Sequence, residues 1–200
     1  MGDWGVFGCE DDRSVGRLLE GFGAAGLTRA WQRLGALSER PGAAYHLVGI
    51  ALVEYAIVSL AFPVAAGRDL GTYARAAFEL RQEEIVLPQA LLMRAPVTGV
   101  VAEGLLALGP VAAEAAMAFL YALSILCWWL AARRVGAGVG IVVAALLLAY
   151  PGYVLLFHRL ASDALYATGF ALAALLTARF VERRSPARAA ALGAALALLS

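Results

Sequence analysis

The sequence contains no lysine, so all sixteen of its basic residues are arginines. Fifteen acidic residues leave a net charge of +1, and the chain therefore has no overall field that would favour nucleic acid as a partner. Arginine used throughout in place of lysine, together with abundant alanine and glycine, is typical of a GC-rich genome. The basic composition by itself therefore indicates no binding function.

Cysteine is almost as scarce, with Cys9 in a polar N-terminal segment and Cys127 in an apolar run. Because these surroundings differ, we expect no disulfide, and two cysteines alone cannot build a metal cluster. Residues 1–12 are polar and acidic, so we expect no secretory signal peptide there. The two histidines, His46 and His158, lack zinc-binding spacing, and we interpret both as interfacial polar residues.

Familiar nucleotide-binding and hydrolase motifs are missing as well. The sequence has no P-loop, no dinucleotide-binding glycine pattern and no nucleophile elbow. What it has in excess is apolar residues, at 62% of the chain with a mean hydropathy of +0.76. Soluble domains are usually about 45–50% apolar. The composition therefore favours a polytopic membrane protein.

Long apolar runs predict an all-α fold, a membrane helical bundle. About 20 apolar residues at 1.5 Å per residue cross a hydrocarbon core of ~30 Å. The run Val97–Gly109 is too short for this and is predicted to be re-entrant or interfacial. The predicted spans are Leu47–Ala66, Val111–Ala132, Val135–Phe157 and Ala164–Ala178.

The predicted organisation is an N-terminal leader, residues 1–46, followed by a transmembrane module, residues 47–200. Within the leader, Leu27, Trp31 and Leu34 have helical spacing, which indicates either a short helix on the membrane surface or a loosely ordered segment. The last apolar run, Ala189–Ser200, is too short to span. We therefore expect the module to be incomplete at its C-terminal end.

The charged segment 67–96 lies between the first predicted span and the next apolar run. Residues 70–84 alternate apolar and charged positions at helical spacing, which predicts an amphipathic helix in the membrane interface. Arginines are concentrated in the leader, at 133–134 and in 179–188, so we expect these regions to be cytoplasmic. Segments 67–96 and 158–163 would then lie outside the cell membrane, although 67–96 itself carries four arginines against four acids.

The predicted topology makes two aspartates candidate functional residues. Asp69 and Asp163 lie in the two outer segments, where paired carboxylates could act as a general base and as a metal or phosphate-bridging site. The alternative is that both simply end helices, since a carboxylate such as Asp163 at a helix start complements the helix dipole. Arg94 and Arg159 are also on the outer side, and arginine binds phosphate with two parallel hydrogen bonds. Contact with lipid headgroups is an equal alternative.

One acid lies inside a predicted span. Glu54 is near the middle of Leu47–Ala66, and acids within the membrane are costly enough to suggest a function. Buried pairing with another helix is an equally good interpretation.

The order of several short motifs resembles the start of a GT-C glycosyltransferase. They are Gly67-Arg68-Asp69 with Tyr73 four residues after the aspartate, then Arg133-Arg134-Val135-Gly136, then Arg159 through Leu165 with Asp163 inside. The most similar groups are the polyprenyl-phosphate-mannose protein mannosyltransferases and the lipid A aminoarabinose transferases. The resemblance covers residues 47–200, the N-terminal part of such an enzyme. The sequence departs from the pattern by lacking a tandem acidic pair at Asp69.

The resemblance implies transfer of a sugar, with inversion, from a polyprenyl-phosphate donor to an unidentified acceptor at the outer face. Asp69 would be the general base, Asp163 would support the donor or a divalent metal ion, and Arg159 and Arg94 would contact the lipid phosphate. The lipid bilayer is the other expected partner, and nucleic acid is not expected. The rival interpretations are a secondary transporter fragment centred on Glu54 and a non-catalytic membrane protein remnant.

Overall fold

The computed structural model describes residues 26, 28–66 and 96–197. Asp69, Arg94 and the amphipathic helix predicted at 70–84 lie outside this described part of the chain. The described elements are α1 (28–38), α2 (Ala43–Ala61), β1 (Ala65–Ala66), α3 (Pro96–Leu108), α4 (Pro110–Ala132), α5 (Ala137–Ala149), α6 (Pro151–Leu156), β2 (Arg159–Leu160), α7 (Ser162–Glu182) and α8 (Pro186–Ala197).

Three of these helices are long and apolar enough to cross a membrane: α2 with 19 residues, α4 with 23 and α7 with 21. At 1.5 Å per residue they are about 28–35 Å long, which matches a hydrocarbon core of about 30 Å. The described chain is thus mainly helical, as predicted, and three apolar helices of this length suggest a membrane protein. The only departure from an all-α fold in the described residues is one pair of two-residue strands.

Helix α4 is the centre of the bundle, because it packs against α2, α3, α5 and α7. Its buried side chains recur about every four residues, which aligns them along one face of an α-helix. This face carries large residues in its middle and at its end, so α4 supplies much of the core. The members of the series are Ala113, Met117, Tyr121, Ile125 and Trp129.

The predicted span Val135–Phe157 is not among the membrane-length helices of the described chain. The chain instead forms α5 and α6, separated at Tyr150, whose backbone is extended (φ −98°, ψ 101°). Pro151 explains the break, because its ring disfavours the helical conformation of the preceding residue and it has no N–H for the helix ladder. The thirteen residues of α5 are therefore shorter than a bilayer-crossing helix.

The predicted short run Val97–Gly109 forms α3, which has thirteen residues and remains too short to cross a bilayer. It is joined to α4 through Gly109 alone, at φ 93°. That backbone conformation favours glycine, and Pro110 is well suited to begin the next helix. The sharp turn lets α3 pack against α4.

The bundle has two ends with different chemistry. At one end, which we call the β end, β1 and β2 pair in parallel, so the end of α2 lies beside the chain that enters α7. At the other, the arginine end, Arg134 of the α4–α5 turn forms an ion pair with Glu182 at the end of α7. Because α7 runs from one end to the other, the two ends are about 30 Å apart.

Helix α1 contacts the bundle at the start of α5. A Cβ atom on Gly138 would lie 2.9 Å from the Trp31 ring, so only glycine permits this close approach. The helix predicted around Trp31 is thus confirmed. Its location on a membrane surface stays a prediction.

Candidate functional site

The chain that leads to Asp69 lies next to the chain that leads to Asp163. Ala65 is aligned with Arg159 and Ala66 with Leu160, and the Ala65 N–H donates a 3.0 Å hydrogen bond to the His158 carbonyl. Asp69 follows Ala66 by three residues in the sequence, and Asp163 follows Leu160 by three. The strand pair therefore brings the approaches to both aspartates to the β end, while Asp69 itself lies outside the described residues.

The two described candidates are both exposed at this end. Arg159 is in β2 with its side chain in solvent, and Asp163 is in the first turn of α7. Ala161 before this helix offers no side-chain cap, so the Asp163 carboxylate is the acidic group that complements the positive end of the helix dipole. This geometry suits the helix-end interpretation of Asp163 and also leaves the carboxylate accessible to a ligand.

Directly below this surface, Glu114 of α4 holds the end of α2 in place. One carboxylate oxygen accepts a 2.5 Å hydrogen bond from the Ser59 hydroxyl, and the other accepts a 2.9 Å bond from the Val64 N–H. Helix α2 has ended at Phe62 before Pro63, so Val64 has no helical partner for its N–H. Glu114 therefore replaces the missing backbone acceptor.

A second carboxylate makes the reciprocal contact. Glu54 of α2 accepts a 2.7 Å hydrogen bond from the Tyr121 hydroxyl of α4. Each of the two helices thus contributes one acid and one hydroxyl to the other. Glu114 and Tyr121 are seven residues apart, so they lie on one face of α4. Of the two interpretations of Glu54, pairing with another helix is confirmed.

His158 is buried within the protein at 3% exposure, and its predicted position at the membrane interface stays a prediction. Its ring stacks on Tyr55 with 4.3 Å between centroids, while its carbonyl accepts the bond from β1. Neither ring nitrogen has a hydrogen-bond partner among the described residues. Burial lowers the pKa of His158, although the nearby charge of Glu114 partly opposes this. Burial therefore favours the neutral form of the imidazole.

Aromatic rings continue the packing below His158. Phe157 makes edge-to-face contacts with Tyr121 at 5.3 Å and with Tyr153 at 5.6 Å between centroids. The Tyr153 hydroxyl donates a 3.0 Å bond to Ser124, which in turn donates to the Tyr121 carbonyl. Such ring pairs contribute about 0.5–1.5 kcal/mol beyond their buried area. These contacts join α2, α4 and α6 beneath the β end.

A cavity of about 230 Å³ opens beside Glu114. Apolar side chains of α3, including Leu105 and Leu106, form one wall, and Pro63 and Leu160 lie opposite. The cavity therefore combines an apolar lining with one carboxylate at the level of the strand pair. In the described residues, no three histidine, cysteine or acidic side chains cluster as a metal site would require.

Sequence reasoning found Glu54 but did not single out Glu114 or His158. The signal for Glu114 was available: it is the only charged residue in α4 and is spaced seven residues from Tyr121. No local pattern distinguishes His158, because its burial depends on Tyr55, which is 103 residues earlier in the chain.

No family model, curated protein or solved structure matches this sequence.

Proposed function

We propose that this protein transfers a sugar from a polyprenyl-phosphate donor to an acceptor at the outer face of a membrane. The GT-C resemblance of residues 67–73, 133–136 and 159–165 motivates the proposal. The observation that supports it most is the pairing of β1 with β2, which places the approaches to Asp69 and Asp163 side by side. A reaction at this surface needs residues from both segments.

In the proposed reaction, the acceptor hydroxyl oxygen attacks the anomeric carbon of the sugar. Asp69 takes the hydroxyl proton as general base, and the bond from the sugar to the phosphate breaks. Polyprenyl phosphate leaves with the bonding electron pair, and its negative charge is stabilised by Arg159 and Arg94. Asp163 accepts hydrogen bonds from sugar hydroxyls.

The surroundings of the β end suit a lipid-borne donor. The cavity beside Glu114 is lined mainly by apolar side chains and lies directly under the strand pair. In the proposed complex it takes the first part of the prenyl chain, while the phosphate and sugar stay at the surface near the exposed Arg159. A donor that diffuses in the bilayer would then reach the site without leaving the membrane.

The test is the Asp69→Asn variant in membrane vesicles supplied with polyprenyl-phosphate mannose, glucose or aminoarabinose. We expect transfer of labelled sugar to fall about 100-fold or more, because general-base catalysis typically contributes 10²–10⁴-fold. Glu39→Gln is the matched control, since it makes the same acid-to-amide change at an exposed residue of the α1–α2 turn. Normal transfer by Asp69→Asn would refute the assignment of the base.

Secondary transport is the second candidate, and Glu54 is the observation behind it. The carboxylate lies within a candidate span and lines an apolar groove of about 680 Å³ on α2. Its bond from Tyr121 gives it a packing role instead, which favours transfer over transport. Glu54→Gln keeps an oxygen for Tyr121 and should leave sugar transfer intact. Substrate uptake into vesicles that is lost in Glu54→Gln but retained in Asp69→Asn would favour transport.

A further inference from the structure

The arginine end contains a cavity that the proposed reaction does not use. It lies between the α4–α5 turn, the end of α7 and the start of α8, and measures about 450 Å³. Its charged lining consists of Arg134, Arg179, Arg188 and Glu182. Three guanidinium groups therefore face one carboxylate, so the cavity carries excess positive charge.

The contacts of these side chains show where that charge is available. Arg134 is paired with Glu182, and Arg188 donates to the carbonyl oxygens of Arg179 and Arg183 at the end of α7. The guanidinium of Arg179 has no hydrogen bond or ion pair with another described residue. An anion in the cavity would meet Arg179 first and Arg188 beside it.

The remaining lining is apolar and comes from Leu176, Ala187 and Ala191. Leu176 is one turn below Arg179 on α7, on the side of the hydrocarbon region. The cavity thus presents cationic groups at the end of a membrane-length helix, and apolar groups lie next to them. A phospholipid has the matching arrangement, with a charged headgroup followed by apolar acyl chains. A freely soluble anion would gain nothing from the apolar side chains.

We infer that this cavity binds the phosphate of an anionic phospholipid headgroup, with the adjoining acyl chain against Leu176. The phosphate accepts hydrogen bonds from Arg179 and Arg188, and the planar guanidinium groups match its oxygen geometry. Basic cavities between membrane helices are a common form of headgroup site. The lipid stabilises the contact between α7 and α8 because both helices supply its ligands.

The test counts phosphatidylglycerol molecules retained by the purified protein in neutral detergent, using native mass spectrometry. We expect retention of phosphatidylglycerol but not of phosphatidylcholine. Arg179→Gln should weaken binding by about tenfold or more, because it removes a charge-assisted hydrogen bond to the phosphate. Arg184→Gln removes the same charge from an exposed residue outside the cavity, and its effect should be several-fold smaller.

A variant that is expected to bind phosphatidylglycerol more tightly distinguishes loss of the site from misfolding. Glu182→Gln removes the acid from the cavity and should tighten phosphatidylglycerol binding several-fold, which a damaged fold would not produce. Equal losses from Arg179→Gln and Arg184→Gln would show only general electrostatic attraction. Competition by millimolar inorganic phosphate would show a site for free anions. Either result, or no retained lipid, would overturn the inference.

Discussion

The β end and the arginine end both contain acidic side chains, but the surroundings of those acids differ. At the β end, Glu114 accepts two hydrogen bonds from α2 and the chain that follows it. At the arginine end, Glu182 has one partner, Arg134, and the two side chains are 49% and 28% exposed. The first acid is part of the packing of helices, and the second lies at the edge of a cavity.

This difference shows how similar residues serve different purposes in one bundle. An unpaired buried donor costs about 1–3 kcal/mol, so the hydrogen bonds to Glu114 help to fix how α2 and α4 contact each other. Exposed charges near water contribute little to stability and remain available to ligands. Stability should therefore depend on the polar residues of the β end, and lipid binding on those of the arginine end.

The largest expected effect on stability is that of Glu114→Ala. The substitution leaves the Val64 N–H and the Ser59 hydroxyl without their acceptor, so the free energy of unfolding should fall by about 3 kcal/mol. Denaturant titration in a fixed detergent measures it, with Glu39→Gln as the exposed control. A loss below about 0.5 kcal/mol would mean that water replaces the carboxylate, and the contrast between the ends would disappear.

A pH-dependent effect should follow from His158. Its pKa is lowered by burial, so the unfolded chain binds the proton more readily than the folded chain below the ordinary pKa of 6.5. Stability should therefore fall as pH drops below 6.5, with a slope of up to about 1.4 kcal/mol per pH unit. His158→Phe should flatten the part of the unfolding profile just below pH 6.5. An unchanged profile would show that the folded protein binds a proton at His158 as readily as the unfolded chain does.

The smallest effect should come from Arg134→Gln at the arginine end. Its ion pair with Glu182 is partly exposed, and such pairs contribute about 0–1 kcal/mol. The free energy of unfolding, measured in the same detergent as for Glu114→Ala, should change by less than about 1 kcal/mol. A loss as large as that of Glu114→Ala would show that this pair holds the end of α7 in place.

Much of the fold could be predicted from local pattern. The apolar runs predicted α2, α4 and α7, because a helix that crosses lipid must be long and apolar along its length. The boundaries were less accurate: α7 extends through charged residues to Glu182, and Pro63 ends α2 near Phe62 instead of Ala66. The break at Tyr150 follows from Pro151, a local cause that outweighed the length of the apolar run.

The candidate site was predictable only in part. Arg159 and Asp163 were singled out by motif, and their roles stay predictions. The structure shows that the strand pair brings Arg159 and Leu160 next to Ala65 and Ala66. The hydrogen-bond partners of Glu114 and the burial of His158 were not predictable, because each depends on residues at least 50 positions away. The roles proposed for Asp69 and Arg94 stay predictions.

The sequence by itself determined that this chain forms membrane-length helices, where prolines end or break them and where its arginines gather. Those features depend on composition and on neighbouring residues. Only the tertiary structure decided which acids are partnered in the interior and which remain open to ligands. Glu54 and Glu114 each acquire a hydroxyl from a different helix, whereas Arg179 gains a neighbouring cavity, because helix packing joins residues far apart in the chain.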